Sequence, residues 1–135
     1  MEWMILPYKR YAEFSGRSRR MEYWMFQLFI MLVYVAWFVL LLVSAGGNLE
    51  DPAASNTMGG ILVVLIIVFA LGSIIPSLAV TIRRLHDTDR SGWWVLISFV
   101  PVIGPLVLLY FMFIEGTHGP NSYGPDPKEG LPRGV

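Results

Sequence analysis

Arg83-Arg84-Leu85-His86-Asp87-Thr88-Asp89-Arg90-Ser91-Gly92-Trp93-Trp94 is a dense cluster of ionisable groups set between two long apolar segments. What flanks it decides the fold class. Upstream, residues 58–82 are apolar and rich in β-branched side chains over 61–71. In lipid no water satisfies a backbone N–H or C=O, so a run of this length crosses as a helix. Farther upstream, residues 22–45 form a second run, in which Gln27 is the strongly polar side chain between Tyr23 and Val43. About 20 residues rising about 1.5 Å each cross a hydrocarbon core of about 30 Å. Val43-Ser44-Ala45 has the small-residue pattern of a signal-peptidase site. The run before it is longer than a signal core and starts late, so it reads as an uncleaved span.

Downstream of the cluster, residues 92–114 are again apolar but are interrupted by Pro101-Val102-Ile103-Gly104-Pro105. Two readings stay open. One is a kinked helix long enough to cross. The other is a re-entrant hairpin of two half-length helices, because each proline removes a helical donor and Gly104 permits a reversal. Composition supports the membrane class throughout. Hydrophobic residues make up 55% of the chain and charged residues 15%, against about 25% charged in soluble proteins. Mean hydropathy is +0.56. The length of 135 residues suits one domain. The chain has no cysteine, which excludes disulfides and thiolate metal sites. The expected fold is therefore all-α: a multi-pass transmembrane helical protein with three apolar segments and an N-terminal interfacial helix.

That leader, residues 1–21, mixes Trp3, Tyr8, Tyr11 and Phe14 with Lys9, Arg10, Arg17, Arg19 and Arg20. It predicts a short helix after Pro7 lying flat on the bilayer. Residues 46–57 form a polar loop without Lys or Arg. Within 58–82, Gly72/Pro76 and Ser73/Ser77 recur four apart, which puts small residues on one face where another helix can approach, and Pro76 predicts a kink. The polar stretch 83–91 is a loop at the same leaflet as the leader. The tail, 115–135, is rich in Gly and Pro and cannot be a regular helix. The net charge is zero, but the basic residues gather in the leader and in Arg83, Arg84 and Arg90. The positive-inside rule then puts the N-terminus and the 83–91 loop in the cytoplasm of a bacterial plasma membrane, and no nucleic-acid footprint emerges.

Three segments carry a resemblance. They are Tyr11-x-x-Phe14-x-Gly16-Arg17-x-Arg19-Arg20-x-Glu22-Tyr23-Trp24; Arg83-Arg84-Leu85-His86-Asp87 with Arg90-Ser91-Gly92-Trp93-Trp94 and Pro101-x-x-Gly104; and Gly119-x-Asn121-x-Tyr123-Gly124-Pro125-Asp126-Pro127. Together, in this order, they resemble the small bacterial inner-membrane proteins of the YhaH/YhaI type, a domain-of-unknown-function family. The resemblance implies a multi-pass inner-membrane protein and supplies no activity.

The residues themselves offer little catalysis. His86-Asp87 lacks the further ligands of a metal phosphohydrolase. A set of His86, Asp87, Asp89 and His118 would need the tail on the cytoplasmic face and close tetrahedral geometry. Ser91 with His86 has no nucleophile elbow, and the tail glycines lack the Lys-Ser/Thr of a P-loop. No enzyme, metal or cofactor is expected. Charged groups at span ends snorkel or pair. Glu22 is expected to accept from Arg83 or Arg84, and Asp87 or Ser91 to cap the helix starting near Gly92. Arg17, Arg19, Arg20, Glu22, Arg83, Arg84, His86, Asp87 and Arg90 form the candidate polar cluster. Tyr23, Trp24, Trp93 and Trp94 are its interface aromatics, and Asn121, Tyr123 and Asp126 are the tail motif. The reading is a non-enzymatic module binding anionic lipid headgroups or a membrane protein partner through this face. The alternative is a channel or transporter subunit made by homo-oligomers packed through 72–77.

Overall fold

The computed structural model describes residues 2–47 and 52–127. Four α-helices and one 3₁₀ helix follow in order: α1 Glu2–Lys9, α2 Arg20–Gly47, α3 Pro52–Asp87, the 3₁₀ helix Gly92–Phe99, and α4 Ile103–Phe113. The described residues hold no strand beyond one isolated bridge, Asn121 to Gly124. Helices α2 and α3 are long and apolar enough to cross a bilayer. They pack side by side: the Trp37 indole N–H donates to the Leu62 carbonyl at 2.9 Å, and Tyr34 meets Phe69 edge-on at 6.0 Å. Their outer faces, with Phe38, Val43, Val64 and Val68 among them, are exposed. Aliphatic and aromatic groups on the outside of long helices are what a bilayer, not water, demands.

Both helices overrun the spans expected from hydropathy, 22–45 and 58–82. Of the polar loop placed at 46–57, residues 46–47 end α2, residues 52–57 start α3, and 48–51 lie outside the described residues. The stretch expected as a cytoplasmic loop is, from Arg83 to Asp87, the last part of α3. The helix continues there because its arginines find partners inside the protein.

The leader also departs from expectation. Its helix precedes and includes Pro7 rather than following it. It is docked on α2 and α3: Tyr8 packs edge-on against Phe26 at 5.4 Å, and the Tyr8 and Ser73 hydroxyls are 2.6 Å apart. Pro76 explains the docking. A proline at 76 cannot donate to the carbonyl four residues earlier, at Gly72. The Tyr11 hydroxyl donates to that carbonyl instead, at 2.8 Å. Pro7 and Pro76 are both fully buried. The small-residue face of α3, expected to receive another helix, thus receives the protein's own leader at Gly72 and Ser73.

The third apolar segment folds back on itself. An ideal Cβ on Gly104 would lie 1.7 Å from the Ile97 carbonyl oxygen, so the legs touch backbone to backbone where only glycine fits. Trp94 meets Phe111 edge-on at 5.5 Å. Residues 94 with 111 and 97 with 104 are the pairing of an antiparallel hairpin. Its turn includes Val102 at φ 67°, a left-handed conformation that a β-branched residue adopts only when its surroundings impose it. Of the two readings of 92–114, the structure takes the hairpin. Its base packs against α2 and α3 through Leu85, Phe111 and Met112, with Tyr23, Trp24, Val107 and Leu108 around them.

Candidate functional site

The candidate residues converge where α3 ends. Arg83 is fully buried. Its Nη2 donates to Glu22 at 2.8 Å, its Nε to the Ser18 hydroxyl at 2.9 Å, and its Nη1 to the Glu13 carbonyl at 2.5 Å. Of the two arginines offered to Glu22 by sequence, Arg83 is the one that takes it. Arg84, also fully buried, turns to the other side of α3. It pairs with Asp87 and donates to the Ile114 carbonyl at the foot of the hairpin. Asp87 in turn accepts from Arg17 Nε at 3.0 Å. Arg17 also donates to the carbonyls of Thr117 at 2.5 Å and Gly119 at 2.7 Å.

Arg17, Arg83 and Arg84 thus converge on two buried carboxylates, Glu22 and Asp87. The surplus positive charge meets backbone carbonyls from the leader, hairpin and tail, and it sits at the negative end of the α3 dipole. Arginine suits this role because its planar fork bonds several acceptors at once and stays charged when buried. Removing water from such a network is expensive unless every member is paired. Within this set, Arg84 Nε is buried without a hydrogen bond.

The tail is ordered on this network through Asp126. Asn121 donates to the His86 carbonyl at 2.9 Å and accepts from its own neighbour Tyr123 N–H at 2.9 Å. The Tyr123 ring stacks on His86 at 4.1 Å with an interplanar angle of 2°. Asp126 accepts from the Gly119 N–H at 2.9 Å. The Thr117 N–H donates to the Asp87 carbonyl at 2.7 Å. Residues 128–135 of the tail lie outside the described residues. His86 Nδ1 sits 3.0 Å from the Gly16 carbonyl. His86 lies past the apolar run 58–82, and its burial pushes the imidazole below its ordinary value despite that bond.

The remaining candidates divide. Ser91, not Asp87, caps the 3₁₀ helix, accepting from the Trp93 N–H at 3.3 Å. Arg20 donates to the Phe113 carbonyl at 3.2 Å. Arg19 is buried. Arg90 lies over the Phe111 ring, 4.1 Å from its centroid. The interface aromatics separate into two kinds. Tyr23 and Trp24 face inward, Trp24 donating to the Met112 carbonyl at 3.2 Å, whereas Trp93 is 78% exposed. His118 is exposed and lies near Glu115, at 3.9 Å, rather than near His86. Among the described residues no three His, Asp or Glu side chains are grouped as metal ligands would be.

Sequence reasoning missed Ser18, Gly116 and Thr117. A Cβ on Gly116 would lie 2.0 Å from Asp87 Oδ2, so this glycine lets the tail backbone reach the buried carboxylate. Its signal was present only as Gly/Pro-rich composition. Ser18 lies between Arg17 and Arg19 and carries no charge to mark it.

The sequence profile described as "Protein of unknown function (DUF805)" matches residues 11–125, which contain Arg17, Glu22, Arg83, Arg84 and Asp87. The chain is 47% identical over 130 residues to the Escherichia coli K12 protein called inner membrane protein YhaI, covering 96% of this chain and 98% of that one. It is 41% identical over 128 residues to inner membrane protein YhaH of the same strain, covering 95% and 98%. A more distant relative, the uncharacterized protein YiiR, is 29% identical over 142 residues. No solved structure matches. The chain belongs to the DUF805 family and is a multi-pass helical protein of the inner membrane.

Proposed function

We propose that this protein is a non-enzymatic inner-membrane module that binds anionic lipid at a basic and aromatic rim on its cytoplasmic face. The observation behind this reading is the division of the polar residues. Arg17, Arg83 and Arg84 are consumed inside the protein, whereas Lys9, Tyr11, Phe14 and Trp93 are exposed around them and Arg20 and Arg90 are partly exposed. Exposed Lys and Arg interleaved with Tyr and Trp match the headgroup region of a leaflet rich in anionic lipid. The same basic residues support a cytoplasmic N-terminus. The hairpin then enters only the cytoplasmic leaflet and returns the tail to the cytoplasm.

The test is reconstitution of the full chain in nanodiscs of phosphatidylcholine with a minor share of phosphatidylglycerol, with the lipids retained on extraction counted by mass spectrometry. Phosphatidylglycerol is expected to be enriched, less so at high salt and in Lys9→Gln/Arg20→Gln. Retention in proportion to the bulk lipid would sink the reading. Ion flux in vesicles holding the same protein would favour the channel alternative.

A further inference from the structure

An apolar cleft of about 480 Å³ runs between α3 and the start of the hairpin, with Phe14 of the leader beside it. The buried arginine network does not use it. Leu78, Ile82 and His86 line one wall and, four residues apart, share one face of α3. Ser91 and Leu96 line the other. The cleft therefore has a direction. His86 and Ser91 stand at the polar cap, and Leu78 and Leu96 lie toward the apolar part of each element. Its volume is within the range of sites that hold small molecules, about 300–1,000 Å³. Where the cleft meets the cap, a Cβ on Gly92 would come within 2.8 Å of the Ile82 side chain, so glycine there lets the hairpin close on α3.

The polar end has a defined hydrogen-bonding character. The Gly16 carbonyl at 3.0 Å from Nδ1 can only accept, so Nδ1 carries the proton. A neutral ring then presents Nε2 as an acceptor. Nε2 is the ring atom that borders Gly92, at 3.6 Å from a Cβ built there, and Gly92 lines the cleft. An acceptor at one end of an apolar slot calls for an amphiphile with a donor at its head. The slot adjoins surfaces already exposed as lipid-facing, Trp93 and Leu96 among them, so the occupant is at hand in the bilayer.

We propose that this cleft holds one phospholipid of the surrounding membrane, an acyl chain between α3 and the hairpin and a headgroup ammonium N–H donating to His86 Nε2. The proposal rests on the lipid-binding reading above, but it invokes hydrogen bonding where the rim invokes charge.

The experiment compares phosphatidylethanolamine, whose ammonium donates, with phosphatidylcholine, whose quaternary ammonium cannot. The full chain is equilibrated with equal amounts of the two at high salt, and the retained lipid is measured by mass spectrometry. Wild type is expected to retain phosphatidylethanolamine about fivefold over phosphatidylcholine, the ratio one hydrogen bond supplies. Leu96→Trp, at an exposed position away from the cap, should fill the cleft and abolish retention of both. His86→Phe keeps a ring against Tyr123 and should retain lipid with the preference lost. Equal retention of the two lipids by wild type, or unchanged retention in Leu96→Trp, overturns the proposal. Phosphatidylglycerol enrichment at low salt reads the rim separately. Its loss with the phosphatidylethanolamine preference intact refutes the rim alone, and the converse refutes the cleft alone.

Discussion

Arg83 and Glu22 show what a single pair does in this protein. Both are buried, at 2.8 Å, and they join the end of α3 to the first turn of α2. Glu22 also benefits from the positive end of the α2 dipole. Replacing Glu22 by Gln would leave the Arg83 charge buried with neutral acceptors only. Loss of one partner of such a pair costs about 3–5 kcal/mol, so the thermal midpoint in detergent should fall sharply. Exchanging the charges in Glu22→Arg/Arg83→Glu should recover part of what either reversal loses. Single reversals with an unchanged midpoint would refute the pairing as a stabilising contact. This pair was half legible in the sequence. Opposite charges at the ends of two spans announce a partner, but Arg83 and Arg84 are adjacent and point to opposite sides of one helix. Only packing shows which faces α2.

At the scale of elements, the hairpin decides the topology. The eight-residue 3₁₀ leg rises about 2.0 Å per residue and the eleven-residue α4 about 1.5 Å, so each leg reaches about 16 Å. That is about half of a 30 Å hydrocarbon core. The turn carries Phe99, 80% exposed, and Val102, 76% exposed, side chains suited to the leaflet interior. Both feet are held at the polar cap, by the Ser91 cap and by Arg84 on the Ile114 carbonyl. A Ser122→Cys label in this cysteine-free chain therefore belongs on the same side as the leader. An impermeant thiol reagent should reach it only after the membrane is permeabilised. Modification in intact cells of this label but not of a Ser15→Cys label in the leader would place the tail on the opposite side and overturn the re-entrant topology. The prolines and Gly104 made the break legible. The direction of the chain after it was not, because hydropathy scores a kinked crossing and a hairpin alike.

For the whole molecule, the network at the end of α3 ties leader, spans, hairpin and tail into one body, and His86 sets a pH limit on it. Burial holds the His86 imidazole below its ordinary value of about 6.5 in the folded state. Protonation therefore favours the undocked form. The contribution is fully present above the unfolded value and is lost as pH falls through the folded one. The protection of the Tyr123 and Thr117 amides, meaning their exchange rate relative to an unstructured amide at the same pH, should be high at neutral pH and fall as the solution is acidified below about 6.5, with that fall gone in His86→Phe. An equal pH response in that variant would assign it to a group other than His86.

The sequence by itself determined the solvent in which this protein folds, its two spans, the break in its third apolar segment and the polar residues that had to find partners. These are local properties: hydrophobic run length, proline and glycine geometry, and the cost of charge beside lipid. The tertiary structure alone decided which arginine takes which carboxylate, that Tyr11 of the leader covers the carbonyl freed by Pro76, that the third segment returns, and that the tail docks. Those contacts join residues far apart in the chain, Arg17 to Asp87 across 70 positions and Arg17 to Gly119 across 102. Their geometry depends on how helices pack, which no stretch of sequence encodes on its own.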